Sequence, residues 1–157
     1  MGFKYFRTTV ALLFGAVLMF IPHSHGRGLS HACRTMKFSP VNGPSFSLED
    51  FYGRPLTVIF FQPQCLACRR EISRLSRRKD GVVAFSLDNS VERVRKFAKE
   101  LNLRFPVVVA DRKVLQCFGG IEAVPTVFRF NFELFLVRKG DKTTSSSSLN
   151  PYCHCSF

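Results

Sequence analysis

Residues 56–75 read L-T-V-I-F-F-Q-P-Q-C-L-A-C-R-R-E-I-S-R-L, and this stretch decides the fold. Leu56–Phe61 is a continuous apolar, β-branched and aromatic run, the pattern of a strand buried on both faces. Gln62-Pro63-Gln64 breaks it, Cys65-Leu66-Ala67-Cys68 follows, and a basic helical stretch runs from Arg69 to about Lys79. This order places Cys65 at a helix N-terminus, where unpaired amides and the helix dipole favour an anion. The thiolate is the nucleophile of disulfide exchange, so the position activates Cys65. Two intervening residues bring the second sulfur within one helical turn. Cys65 can then attack a substrate disulfide, and Cys68 can resolve the mixed disulfide. Zinc sites use the same spacing but need two more ligands. The candidates (Cys33, Cys117, Cys153, Cys155 and four His) are scattered along the chain. No metal site is expected, and the strand–C-x-x-C–helix context points to redox chemistry.

Outward from this centre, the elements alternate. Phe46–Tyr52 before Gly53-Arg54-Pro55 predicts a short strand and a turn. Val82–Leu87 predicts a second buried strand. In Ser90–Leu101, Val91, Val94, Phe97, Ala98 and Leu101 fall at helical spacing, with Ser90 as N-cap. Phe105–Ala110 is a third apolar run, and Asp111–Phe118 a short helix. Val124-Pro125-Thr126 leads into a strand over Val127–Phe130, and Asn131 turns into a last strand, Glu133–Val137. Together these predict an α/β domain over residues 46–140, a mixed sheet flanked by helices. Residues 27–45, rich in Gly, Ser, Pro and His, read as a linker or extended lead-in. Residues 141–157, with their Ser run, read as a disordered tail.

The N-terminus carries Lys4 and Arg7 before an apolar run from about Thr8 to Ile21. A basic flank before a short apolar stretch describes a secretory signal, and residues 1–26 are expected to be a signal peptide or membrane anchor. Ser30-His31-Ala32 has signal-peptidase spacing, and Cys33 directly after it is similar to a lipoprotein site. Export would let disulfides persist.

The stretch Phe46–Phe130 resembles the thioredoxin-like superfamily, specifically its exported TlpA/ResA-type thiol–disulfide oxidoreductases. F-S-L-E-D-F-Y-G-R-P is similar to that branch's lead-in, T-V-I-F-F-Q-P-Q-C-L-A-C-R-R-E-I-S-R-L to its strand, active site and first helix, and Val124-Pro125-Thr126 to its cis-proline loop. Val82–Leu101 takes the place of the next strand and helix. The resemblance implies a thioredoxin-like fold with Cys65 as nucleophile and Cys68 as resolving thiol. It implies a substrate-binding loop of Val124, Pro125 and Thr126, with Pro125 cis and Thr126 presenting backbone to an extended peptide. No cofactor is implied beyond a redox-active Cys65–Cys68 disulfide. The implied function is an exported disulfide reductase, in the periplasm or at the outer face of the inner membrane. Protein thiols and disulfides would be its substrates, and a membrane or periplasmic electron donor its partner.

Departures stand beside the resemblance. Gln64 replaces a frequent Trp, Ile59 a buried Asp of thioredoxin, and Ser73 a helix-kinking proline. Relatives end in a helix packed on the sheet. Here the Ser run takes its place, so the C-terminal helix is expected to be missing and one sheet face partly uncovered. A peroxiredoxin is the first alternative, but Pro63 stands two residues before Cys65 with no hydroxyl residue between. A copper-delivering protein of the same fold would use C-x-x-x-C and a distant His, and a non-catalytic adaptor is the last alternative.

The chain has 157 residues, 46% of them hydrophobic, including 18 Phe; that excludes a disordered chain. Six Cys are too few for a disulfide-stapled scaffold. The formal charge is +12, and the helix after Cys68 concentrates it, with Arg69, Arg70, Arg74, Arg77, Arg78 and Lys79 against Glu71 alone. No nucleic-acid motif accompanies it, so nucleic acid is not an expected partner; a plainly solvated face is the leading reading, with acidic partner proteins or an anionic membrane surface as the alternative. Glu71 is expected to be a solvated surface charge, Cys117 a buried unpaired thiol, and Cys153-His154-Cys155 inert.

Overall fold

A computed structural model describes residues 28–78 and 80–141. The expectations for residues 1–26, Lys79 and the tail with Cys153, His154 and Cys155 lie outside the described residues. Within them the elements run α1 (His31–Thr35), β1 (Leu56–Phe61), α2 (Leu66–Leu75), β2 (Gly81–Ser86), α3 (Val91–Glu100), β3 (Val107–Val109), α4 (Arg112–Cys117), β4 (Thr126–Phe130) and β5 (Leu136–Asp141). The five strands form one sheet in the order β3-β2-β1-β4-β5. β1 pairs parallel with β2, and β2 with β3, whereas β4 is antiparallel to both β1 and β5. A mixed α/β sheet flanked by helices, the thioredoxin-like arrangement, is therefore the fold.

Every residue of β1 is buried, as its continuous apolar pattern requires of a central strand. Its two faces meet different partners because side chains alternate along a strand. Phe60 packs its ring on Phe85 at 5.3 Å, on Phe118 from the end of α4 at 5.0 Å and on Phe128 of β4 at 5.9 Å. On the opposite face Phe61 stacks on Phe97 of α3 at 5.0 Å. Ten of the 18 Phe are buried among the described residues and supply the core that the absent Trp does not. Fully burying one such ring contributes roughly 1.5–3 kcal/mol. The helices start where short polar side chains meet orphan amides: Ser90 caps α3 and Asp111 caps α4, each accepting an N–H three residues on.

Several expectations are corrected. Phe46–Tyr52 is not a strand. Only Phe46 bridges, to Phe38, and Leu48–Phe51 forms a 3-10 turn in which Ser47 and Asp50 cap each other. That turn brings Phe51 against β2, where a Cβ on Gly81 would lie 2.6 Å from the ring. The helix after Cys68 ends at Leu75, earlier than Lys79. The last strand starts at Leu136, because Asn131 folds the turn on itself by accepting the N–H groups of Glu133 and Phe135.

Residues 28–45 are packed onto the fold. Phe38 is buried against Phe46 and Phe85, and Asn42 bonds the backbone of Leu103, Phe105 and Val107. Cys117 is not an unpaired thiol: it forms a disulfide with Cys33, 84 residues earlier, which ties α1 to the end of α4.

Candidate active site

Phe60 and Thr126 are register partners, so the loop after β1 and the loop before β4 leave the same end of the sheet. The first loop ends at Cys65, with Cys68 in the first turn of α2, and the second carries Val124 and Pro125 up to Thr126, where β4 begins. The residues singled out from sequence are therefore brought to one end of the fold.

Cys65 is the N-cap of α2. It has extended backbone angles, and its Sγ accepts the N–H of Cys68 at 3.3 Å. This is the role a Ser or Asp hydroxyl or carboxylate oxygen plays at other helix starts, taken here by sulfur. The contact and the α2 dipole both favour negative charge on Cys65. Both cysteines are buried, while Leu66 between them is 61% exposed. The tip of the motif is thus an apolar side chain in solvent, with the sulfurs directly beneath.

The Val124–Pro125 peptide bond is cis. Thr126 already lies in the ladder, between Phe60 and Asp141, and its hydroxyl donates to the Ala123 carbonyl at 2.6 Å. Val124 precedes the ladder.

Two features near the cysteines escaped the sequence reading. Glu71 is buried, 3% exposed, and not a solvated charge. It shares the inner face of α2 with Cys68, Ile72 and Leu75, a helical spacing that the C-R-R-E-I-S-R-L pattern contained. Arg74, one turn on, donates to both carboxylate oxygens at 2.6 and 2.7 Å. The second feature is Asp88. Its carboxylate accepts two bonds from Arg93 at 2.8 Å each, one from the Ser90 amide at 2.8 Å and one from Gln64 Nε2 at 3.2 Å. The Arg93 hydrogen bonds, ahead of the Ser90 amide and Gln64, hold Asp88 down to about 2 against the upward pull of burial. Gln64, standing where a Trp was expected, thereby ties the residue before Cys65 to the β2–α3 loop. No sequence signal links positions 24 residues apart.

A cleft of about 260 Å³ opens beside Pro125, between α2 and the β4–β5 hairpin, with Arg74, Arg129 and Arg138 in its walls. Among the described residues no group of three His, Cys, Asp or Glu could hold a metal ion.

A strand, a C-x-x-C that caps the next helix and a cis X-Pro loop at the same end of the sheet make up a thioredoxin-like arrangement. The AhpC/TSA family matches residues 30–132, and the chain belongs to that family. Thiol-disulfide oxidoreductase ResA of Bacillus subtilis (strain 168) is 29% identical over 120 residues, 71% of this chain and 66% of that protein. The chain thus spans just under two thirds of that relative's length. Among solved structures, a secreted disulfide oxidoreductase of Mycobacterium tuberculosis superposes with a TM-score of 0.63 at 18% identity, over 76% of this chain and 92% of that one. A peroxiredoxin Q of Xanthomonas campestris gives 0.62 at 18% identity, over 71% and 83%. These structural likenesses bear on the fold.

Proposed function

We propose that the protein is an exported thiol–disulfide oxidoreductase that reduces protein disulfides through Cys65 and Cys68. The observation that carries this is Cys65 as sulfur N-cap of α2, with Cys68 one turn away. The Cys65 thiolate attacks one sulfur of the substrate disulfide, forming a mixed disulfide and releasing the other sulfur as a thiolate, which takes up a proton. The Cys68 thiolate then attacks Cys65 Sγ, the mixed disulfide breaks, and the second substrate thiol leaves. The substrate gains two electrons, and the chain is left with a Cys65–Cys68 disulfide, which an external dithiol must reduce. Val124 and Thr126 flank the groove that Pro125 shapes for the substrate segment. With Thr126 in the ladder, Val124 is the residue whose backbone meets an extended peptide.

Two observations support export. The N-terminal order of charge then apolar run reads as a signal or anchor, and a Cys33–Cys117 disulfide persists only where thiols are not kept reduced. Among the described residues no helix is long and apolar enough to cross a membrane.

The test is reduction of insulin by the full chain with a dithiol as electron source, and Cys65→Ser as control. Turnover by the wild type alone is expected. Equal rates in both would overturn the reading. Peroxide consumption without disulfide turnover would replace it with a peroxidase, and tight stoichiometric copper binding without turnover with a copper carrier.

A further inference from the structure

We infer that the cleft between α2 and the β4–β5 hairpin is a subsite for an acidic substrate segment. It takes a carboxylate about four residues from the cysteine that Cys65 attacks. This rests on the reductase reading and adds a substrate class to it.

Arg129 of β4 and Arg138 of β5 are direct register partners. Their side chains leave one face of the sheet with Cβ atoms about 4.5–5.5 Å apart, and like charges so placed destabilise a strand pair. Arg74 lines the same cleft from the helix above. The acid in the described lining is Glu71, which Arg74 engages through both oxygens. Neither Arg129 nor Arg138 takes part in the ion pairs found among the described residues. All 11 acidic side chains of the sequence lie between Glu49 and Asp141, and none of those described pairs with Arg129 or Arg138. An acidic segment of a substrate would supply the counter-charge that relieves this pair.

Two distances place that charge. Along α2, Arg74 lies nine residues from Cys65, roughly 13 Å at the helical rise. Along β4, Arg129 lies four residues from Pro125, again roughly 13 Å. An extended peptide covers that distance in about four residues. Pro125 borders both the cleft and the proposed substrate groove, so one peptide can run from the sulfurs to the arginines.

The experiment uses the full chain and short peptides whose cysteine is in mixed disulfide with thionitrobenzoate, the release of which is read by absorbance. One pair of peptides carries Glu-Glu or Gln-Gln beginning four residues after the cysteine, and a second pair carries them before it. For at least one pair, kcat/KM for the acidic peptide is expected to exceed the neutral by about three- to tenfold at low salt. The ratio should fall toward one in high salt and in the double variant Arg129→Gln, Arg138→Gln. Equal rates in the wild type, or a preference that survives in the variant, overturns the subsite.

The variant's thermal midpoint should equal or exceed that of the wild type, because a repulsion is removed; a lower midpoint overturns the like-charge argument. Fluorescence anisotropy with Ser in place of the peptide cysteine separates the two readings. Acidic-peptide binding by the wild type and not the variant, with no turnover, keeps the subsite and removes the reductase. Absence of binding overturns the subsite. Competition by inorganic phosphate at equal concentration would replace the peptide with a small anion.

Discussion

The two faces of the β4–β5 hairpin carry opposite chemistry, one aromatic and one basic. Phe128 and Phe130 point to one face and pack on Phe118 at 5.1 and 6.3 Å. Arg129, between them in sequence, points to the other and faces Arg138. One face is core. It is edged by a groove of about 510 Å³ that the Cys33–Cys117 disulfide borders. The other is a charged cleft that opens beside α2. The sheet face that would be a liability if apolar and uncovered is here basic, which solvent tolerates. Alternation thus assigns Phe128 and Phe130 to the packed side and Arg129 and Arg138 to the cleft.

The sharpest way to break this contrast is to remove an aromatic ring. Phe128→Ala should lower unfolding free energy by about 3–5 kcal/mol, read by denaturant melts, because its neighbours cannot refill the space. A loss under about 1 kcal/mol would mean that the aromatic face is not packed as described.

Next is the disulfide that borders that face. Cys33→Ser with Cys117→Ser should cost about 2–4 kcal/mol under non-reducing conditions, since the cross-link closes a long loop in the unfolded chain. The same melts in the presence of reductant should show no difference between variant and wild type.

Asp88 gives a smaller effect, with a pH signature. Its carboxyl is depressed in the folded state to about 2, from an ordinary value of 3.8. A depressed acid stabilises the fold above its unfolded value and loses that contribution as pH falls through the folded one. Asp88→Asn should therefore cost about 1–2 kcal/mol at neutral pH, discounted for the solvent-exposed Arg93 partner. The difference should shrink from about pH 4 downward and vanish only once the pH is below about 2. A constant difference across that range would show that packing and not charge is lost.

The smallest effect has the opposite sign. Arg138→Gln should stabilise the chain by a few tenths of a kcal/mol, up to about 1, at low salt, and the gain should fade as salt is added. Destabilisation at low salt would show that Arg138 is held by attraction and not opposed by Arg129.

Much of the fold could be read from residue patterns. The buried run Leu56–Phe61, the cap at Ser90, the short helix after Asp111, and the helical spacing of Val94, Phe97 and Ala98 all appear as elements where their chemistry places them. The failures share a cause. Phe46–Tyr52 has the composition of a strand, but Asp50 bonds the amide of Ser47 at 2.7 Å and turns the chain instead. Glu71 looks like surface charge in a basic helix until the inward phase of α2 is fixed by Cys68 and Ile72. Residues 28–45 look like a linker by composition, because the partners of Phe38 and Asn42 lie far along the chain.

The sequence alone determined most of the elements, the sulfur pair at a helix start and the excess of positive charge. These depend on neighbours within a turn or a strand, where spacing is geometry. The tertiary structure alone decided that Cys33 meets Cys117, that Gln64 meets Asp88, and that Arg129 faces Arg138 beside Pro125. Those pairings join positions whose distance is set by sheet order and register, which local propensity does not specify.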